Sequence, residues 1–253
     1  MFRNLLEKLF SKPVVRTPAE PAPTLIAPPV VIQPIVVDTI VEPVVVAGLQ
    51  DPVAFYDYIR REKLYGPTIS TSELEGTQEI LLDCAKVGWP IAYVAYALAT
   101  AYHETAGTMQ PIKEYGGAAY FNKRYGVEGD NPERARKMGN TKRGDGARYC
   151  GRGYVQLTWA NNYARAEMEL DVPLLSKPDL AMDPDIASDI MIRGMSEGWF
   201  TGKKLSTYLP ITRLASINEF NEARRIINGL DKSQMIAEYA ISFQLALLAG
   251  EWI

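Results

Sequence analysis

The chain has 253 residues and a formal net charge of −3; 47% of its residues are hydrophobic and 23% are charged, proportions typical of a folded, water-soluble protein. The near-neutral charge argues against a strongly basic protein that coats nucleic acid, so we expect no nucleic-acid partner. A single histidine, together with two cysteines that lie 66 positions apart, argues against a zinc enzyme, so we expect no metal site.

Composition divides the chain near residue 50, since 8 of the 17 prolines fall in the first 50 residues. Residues 1–12 place apolar side chains at helical spacing and predict a short amphipathic segment that would touch a membrane surface or a virion protein. Residues 13–49 are rich in Pro and Val and predict an extended linker or docking arm. Prolines and acidic residues interrupt their apolar runs, so we expect neither a signal peptide nor a transmembrane helix. Residues 50–253 are expected to form one monomeric domain.

Two helices are predicted at the start of this domain. Residues 51–61 begin with Asp51 as a cap and a proline in the first turn. Residues 72–87 begin with Ser72, and Glu75 three positions later completes a capping box. Both starts therefore follow from local capping chemistry.

The third predicted helix begins at Pro90 and reads IAYVAYALATAYHET. It is apolar on nearly every face, so we expect it to be the buried centre of the domain. Residues 107–153 are rich in Gly, Asn and charge and predict a small irregular or β lobe. Helical patterns return near 154–170, 184–200, 219–228 and 232–249. The predicted fold is therefore mainly α, with two lobes, the smaller one inserted after the central helix.

Two glutamates near the end of the central helix have the chemistry of an acid and a base. Glu104 closes the apolar helix, where the negative end of the helix dipole favours a protonated carboxyl. Glu114 follows ten positions later in a Gly-flanked polar loop, which favours the ionised form. Glycoside hydrolysis needs one carboxyl to protonate the leaving oxygen and a second to activate water. Taken alone, the pair is a weak signal, because a chain with 30 acidic residues offers many such pairs and a solvated surface charge is the alternative for each.

A second segment, GDGARYCGRGYVQLTWANNY at residues 144–163, concentrates glycines, amides and aromatic rings. The glycines allow tight turns and close approach to a ligand. Several of its hydrogen-bonding side chains are suited to holding a water or a sugar amide: Gln156, Thr158, Asn161 and Asn162. Its aromatic side chains offer flat faces for sugar rings: Tyr154, Trp159 and Tyr163. The alternative is a Gly-rich hairpin before a capped helix, with these aromatic rings in the core.

The motifs HET and GRGYVQLTWANNY resemble those of glycoside hydrolase family 19, the chitinase-like enzymes. The pattern HETxxxMxPIxEYGGxxYFNKRY is most similar to the phage and bacterial branch that cleaves peptidoglycan as endolysins. FNEARRIINGLDK also resembles the family's ARRxxNG segment. The resemblance extends over about 72–249 and implies a lysozyme-like, two-lobed α-helical fold without a cofactor.

The resemblance also implies roles for individual residues. Glu104 matches the general acid, and Glu114 is the candidate base, with Glu128 as the alternative at the longer spacing of the plant enzymes. Thr158 and Asn162 match residues that hold the nucleophilic water. The remaining matches line or support the cleft: Gln156, Tyr163, Arg225 and Asn228. His103 is expected to be structural.

The implied function is hydrolysis of the β-1,4 bonds of bacterial peptidoglycan, of the lysozyme or muramidase type and with inversion, by a phage-encoded protein. It would act in the host periplasm and cell wall, or from the virion. A chitinase, or a virion component that binds the cell wall, are the alternatives. Residues 123–152 hold nine Lys or Arg against four Asp or Glu, which predicts either attraction to an anionic polymer or merely a solvated lobe.

Overall fold

The computed structural model describes residues 46–253, so the predictions for residues 1–12 and for most of 13–49 lie outside the described residues. Within the described range the chain is helical, with isolated β-bridges and no strand. The α-helices are α1 (Pro52–Arg61), α2 (Thr71–Lys86), α3 (Ile91–Glu104), α4 (Ala118–Tyr125), α5 (Pro132–Lys137), α6 (Asp145–Arg148), α7 (Ala160–Leu170), α8 (Pro184–Glu197), α9 (Leu205–Tyr208), α10 (Ile217–Ala223) and α11 (Ser233–Ala249). Two 3₁₀ helices cover Pro178–Met182 and Arg224–Ile226.

Helix α3 is the centre of the domain, as its sequence predicts. Ten consecutive residues, Ala92–Ala101, are buried. Helix α11 packs along α3, and α1 and α10 pack on α11, while α2 contacts both α3 and α8. A helix that is apolar all round is stable only when neighbours cover every face, because each buried aliphatic side chain contributes roughly 1.5–3 kcal/mol. The mainly α fold is confirmed.

The predicted cap of α2 is wrong by two residues. Ser70, not Ser72, accepts the backbone N–H of Glu73 through its hydroxyl (3.3 Å). The Glu73 carboxylate accepts the backbone N–H of Ser70 in return (2.7 Å). The sequence STSELE contains the capping-box spacing twice, at 70/73 and at 72/75, so spacing alone does not choose between them. The helix consequently begins at Thr71, two residues earlier than a cap at Ser72 would place it.

The small lobe inserted after α3 is made of the short helices α4, α5 and α6. Phe121 is buried there and stacks on Tyr125 with an interplanar angle of 13°. Helices α4 and α6 contact each other closely at Gly146, where a Cβ atom would lie 2.6 Å from the carbonyl oxygen of Phe121. The lobe is therefore short-helical and irregular, and the β alternative is wrong for the described residues.

The first described residues belong to the domain core, four positions before the predicted boundary at 50. Val46 and Leu49 are buried, and Leu49 pairs with Trp252 in an antiparallel bridge. The indole N–H of Trp252 donates to the carbonyl oxygen of Trp89 (2.9 Å), and the backbone N–H of Ile253 donates to Gly48 (3.1 Å). The two ends of the described chain are therefore joined through backbone contacts.

Among the described residues, no helix has the length and apolar character needed to cross a membrane.

Candidate active site

A cleft of about 530 Å³ lies where the end of α3 meets the small lobe. Its lining includes the end of α3, the loop around Glu114, residues 155–159 with Asn162, and the 3₁₀ helix at 224–226 with the turn that follows; α4, α5 and residues 200–201 also contribute. It contains six predicted site residues: Glu104, Glu114, Gln156, Thr158, Asn162 and Asn228. The fold therefore brings together residues that lie more than 120 positions apart in sequence.

Glu104 is the last residue of α3, and its carboxylate is held by a buried arginine. The Nη1 atom of Arg224 donates to Oε1 of Glu104 at 2.7 Å. The Arg224 side chain is only 4% exposed, and its Nε atom donates to the carbonyl oxygen of Asp231 (3.1 Å). Because solvent reaches Arg224 so little, water competes only weakly for this ion pair. The pair therefore fixes both side chains.

Arg225 was the predicted supporting arginine, and the structure corrects this to its neighbour, Arg224. The Arg225 guanidinium is exposed and pairs with Glu222 on the preceding turn (2.8 Å). Because the segment forms a three-residue 3₁₀ helix, adjacent side chains point in different directions, and only the first of the two arginines reaches the cleft.

Two hydroxyl groups from other elements hold the turn that carries Arg224. Tyr96, in the middle of α3, donates to the carbonyl oxygen of Ala223 at 2.8 Å. Thr201 shares its hydroxyl hydrogen between the carbonyl oxygens of Arg225 (2.6 Å) and Ile226 (3.0 Å). The backbone on both sides of Arg224 is thus bonded to the rest of the domain.

Glu114 lies on a loop, and each of its carboxylate oxygens accepts one hydrogen bond. The hydroxyl of Tyr125 donates to Oε1 (2.9 Å), and the backbone N–H of Gly151 donates to Oε2 (3.2 Å). Burial and the charge of Glu114 raise the pKa of Tyr125 above its usual range, so this hydroxyl stays a donor. The backbone N–H of Glu114 also donates to Gly151 (2.8 Å), which ties the loop to the Gly-rich segment.

A side chain at position 151 would crowd two side chains of the cleft. A Cβ atom there would lie 2.7 Å from Oε1 of Gln156 and 3.2 Å from Oε2 of Glu114. The glycine therefore allows the backbone to approach the candidate base closely enough to donate its N–H.

Gln156, Thr158 and Asn162 form a short hydrogen-bonded series along one wall. Gln156 donates through its amide to the carbonyl oxygens of Ile112 (3.0 Å) and Gly153 (3.1 Å). Thr158 donates to the carbonyl oxygen of Gln156 (2.8 Å), and the Asn162 amide donates to that of Thr158 (2.8 Å). The side chains of Thr158 and Asn162 act as donors in these bonds. The hydroxyl oxygen of Thr158 and the amide oxygen of Asn162 can therefore still accept hydrogen bonds from a water.

Tyr154 and Tyr163 were predicted to contact substrate, and the structure places both in the core instead. Tyr154 is 1% exposed, and Tyr163 is fully buried, with its hydroxyl donating to the carbonyl oxygen of Cys150 (2.9 Å). The turn at 153–156 explains this, since Gly153 and Gln156 both have positive φ and redirect the chain. Trp159 does line the cleft, so the alternative of a core role holds for the two tyrosines only.

The remaining predicted residues have clear positions. Asn228 lines the cleft, and its amide oxygen accepts the backbone N–H of Gly229 (3.0 Å). His103 also lines the cleft, and burial lowers its pKa, so the ring is neutral at neutral pH. Glu128 lies away from the cleft lining, where it accepts the backbone N–H of Gly144 (3.4 Å).

Several cleft residues are not predicted from the sequence. Tyr125 and Arg224 bond the two carboxylates, and both occur in motifs that had already been singled out. Tyr115, which is 72% exposed at the cleft, offers the aromatic face that had been assigned to the two buried tyrosines. Arg124 and Arg134 add positive charge to the cleft wall. The described residues contain no group of three His, Cys, Asp or Glu side chains that could hold a metal ion.

Comparison with known proteins supports the family resemblance over part of the chain. Residues 91–204, which include both glutamates and the Gln156–Asn162 segment, match the glycoside hydrolase family 19 model, described as chitinase class I. Chitinase C from Streptomyces griseus is 21% identical, over 79% of this chain and 85% of that one, with a TM-score of 0.43. A bacterial family 19 chitinase is 20% identical, over 77% and 87%, with a TM-score of 0.37. None of the curated proteins matches significantly. Over residues 91–204, the resemblance of the sequence motifs to glycoside hydrolase family 19 is therefore confirmed.

Proposed function

We propose that this glycoside hydrolase cleaves the β-1,4 bonds of the glycan strand of bacterial peptidoglycan, a lysozyme-type activity. The observation that carries the proposal is the presence of Glu104 and Glu114 in one cleft, each fixed by different partners. Most glycosidases use two carboxyl groups that flank the glycosidic bond.

The two glutamates have different roles in the proposed reaction. Glu104 protonates the glycosidic oxygen as the bond to the anomeric carbon breaks. Glu114 takes a proton from a water that attacks the anomeric carbon from the opposite face, and the configuration inverts. Thr158 and Asn162 offer acceptors for that water, beside Gln156, which orders the loop. Glu114 is preferred to Glu128 as the base because it lines the cleft and Glu128 does not.

The choice of peptidoglycan depends on the motif around the two glutamates. HETxxxMxPIxEYGG, in which the second glutamate follows the first by ten positions, is most similar to the peptidoglycan-cleaving branch of the family. A role in phage-associated host lysis or cell-wall penetration, with residues 1–49 contacting a membrane surface or a virion protein, is part of the same proposal.

Digestion of purified peptidoglycan tests this function directly. Mass spectrometry of the products should show a new reducing sugar, N-acetylmuramic acid for a muramidase or N-acetylglucosamine for a glucosaminidase. We expect Glu104→Gln to lower the rate about 10³-fold, because a positioned general acid contributes 10²–10⁴-fold. The absence of any new reducing end, from a wild-type protein that is folded, would refute the proposal.

A chitinase is the second candidate, and the match to the class I chitinase model favours it. Colloidal chitin, digested beside peptidoglycan at the same enzyme concentration, separates the two. Faster release of reducing sugar from chitin would replace the peptidoglycan proposal with this one. Binding to cell walls without release of sugar from either polymer would instead indicate a virion component that only attaches.

A further inference from the structure

The arginines of this domain fall into two groups by their partners. Among the described residues, eight arginines form an ion pair with a carboxylate, and none of these eight belongs to α4, α5, α6 or their connections. The other five all lie in the small lobe: Arg124, Arg134, Arg136, Arg143 and Arg148. Within the described range the lobe thus concentrates guanidinium groups that have no acidic partner.

The acidic residues of the lobe do not neutralise this charge, because the two whose contacts are seen bond to backbone. Asp145 accepts the backbone N–H groups of Thr141 (2.9 Å) and Lys142 (2.7 Å). Glu128 accepts the backbone N–H of Gly144. These carboxylates stabilise the turn before α6, and the cationic side chains around them remain available to a ligand.

Aromatic rings orient the two arginines that line the cleft. The Arg124 guanidinium lies 5.4 Å from the centre of the Tyr125 ring and donates to the hydroxyl of Tyr120 (2.6 Å). Arg134 lies 5.4 Å from the Trp159 ring. A guanidinium stacked on a ring keeps in-plane N–H groups for an anion, and these suit the bidentate geometry of a carboxylate.

We infer that the small lobe is a binding surface for carboxylate groups carried by the glycan strand that the cleft cuts. Its occupant is the substrate itself, because Arg124 and Arg134 line the same cleft as Glu104 and Glu114. Arg136, Lys137 and Arg143 are exposed on the same lobe outside the cleft lining, and we expect them to bind further carboxylates of the strand. This inference rests on the proposed function, since chitin lacks such groups, whereas peptidoglycan carries them on its stem peptides and on lactyl groups that bear no peptide.

A pair of matched substrates tests the inference. Glycan strands freed of peptides carry lactyl carboxylates, and half of the preparation is converted to the neutral methylamide. We expect wild-type kcat/KM at low salt to be roughly tenfold higher on the carboxylate strand, in the range that electrostatic attraction supplies. The triple variant R136Q/K137Q/R143Q should lose most of this preference, and so should wild type at high salt.

The control is R60Q/R61Q, which removes two exposed arginines that are ion-paired on α1. It should keep the wild-type preference for the carboxylate strand. Equal kcat/KM on the two strands for wild type, or an equal loss of preference in the control, would overturn the inference. Thermal melting of all three proteins shows whether the variants are folded.

Binding measured with Glu104→Gln separates this inference from the proposed function. If wild type cuts neither strand and the inactive variant still binds only the carboxylate strand, the proposed function is wrong and the surface stands. If both strands are cut and bound equally, the function stands and the surface is wrong. Preferential binding of soluble polyphosphate over the carboxylate strand would reassign the surface to a phosphate polymer and overturn the inference as stated.

Discussion

The two carboxylates of the cleft are supported by regions of different construction. Glu104 is the last residue of α3, whose residues Ala92–Ala101 are buried. Its carboxylate pairs with the buried Arg224, and the hydroxyl of Tyr96 holds the turn that carries this arginine. Glu114 lies on a loop of the small lobe, where a tyrosine hydroxyl and one backbone N–H hold it. The candidate acid is thus held by the helical core and by an ion pair, whereas the candidate base is held by uncharged hydrogen-bond donors. Damage to the two supports should therefore have different costs.

The largest effect is expected from Arg224→Ala. Removing one partner of a buried ion pair leaves the other charge uncompensated, which costs about 3 kcal/mol of stability. Since Glu104 loses its only charged partner among the described residues, kcat should fall about 100-fold. Urea unfolding and product assays measure the two losses.

Arg225→Ala is the matched control, because it removes an adjacent arginine whose pair with Glu222 is exposed. An exposed pair contributes at most about 1 kcal/mol, so stability and kcat should stay close to wild type. Equal losses in the two variants would show that Arg224 has no special relation to Glu104.

A smaller effect is expected at the base. Tyr125→Phe removes the hydroxyl that bonds Glu114 and keeps the ring between Phe121 and Trp159. We expect kcat to fall about tenfold, the equivalent of one hydrogen bond to a charged group, with little change in melting temperature. Tyr149→Phe removes a hydroxyl bonded to the carbonyl oxygen of Leu175, outside the cleft, and should leave kcat unchanged. A fall of the same size in Tyr149→Phe would contradict the assignment.

The smallest effect is expected from Thr201→Val, which removes the hydroxyl bonded to Arg225 and Ile226 and keeps the shape of the side chain. Its loss loosens the turn that positions Arg224, so kcat should fall about threefold while KM changes little. Thr201→Ser restores the hydroxyl and should restore kcat. If Val and Ser variants behave alike, the hydroxyl has no positioning role.

Sequence reasoning succeeded where one physical rule dominated. The continuous apolar run after Pro90 required a buried helix, and its end placed Glu104 at the edge of the core. The spacing of Glu114 and the glycines then predicted a loop that the structure places against Gly151.

Prediction from sequence failed where the direction of a side chain depends on a few backbone dihedral angles. Positive φ at Gln156 and Trp159 is not encoded by residue type, so the outward or inward direction of Tyr154 and Tyr163 could not be predicted. The choice between Arg224 and Arg225 depends on a turn too short to have a helical period. Tyr125 was missed because its bond to Glu114 joins two segments whose relative position only the fold determines.

The closure of Leu49 and Gly48 on Trp252 and Ile253 has a mechanical consequence. A load applied to the chain at Val46 would first reach these backbone contacts and then pass into α1 and into α11, which packs along α3. The small lobe, which carries Glu114 and the unpaired arginines, lies off that route. If the domain is pulled or anchored at Val46, the distance between the carboxylates of Glu104 and Glu114 should therefore stay the same under tension.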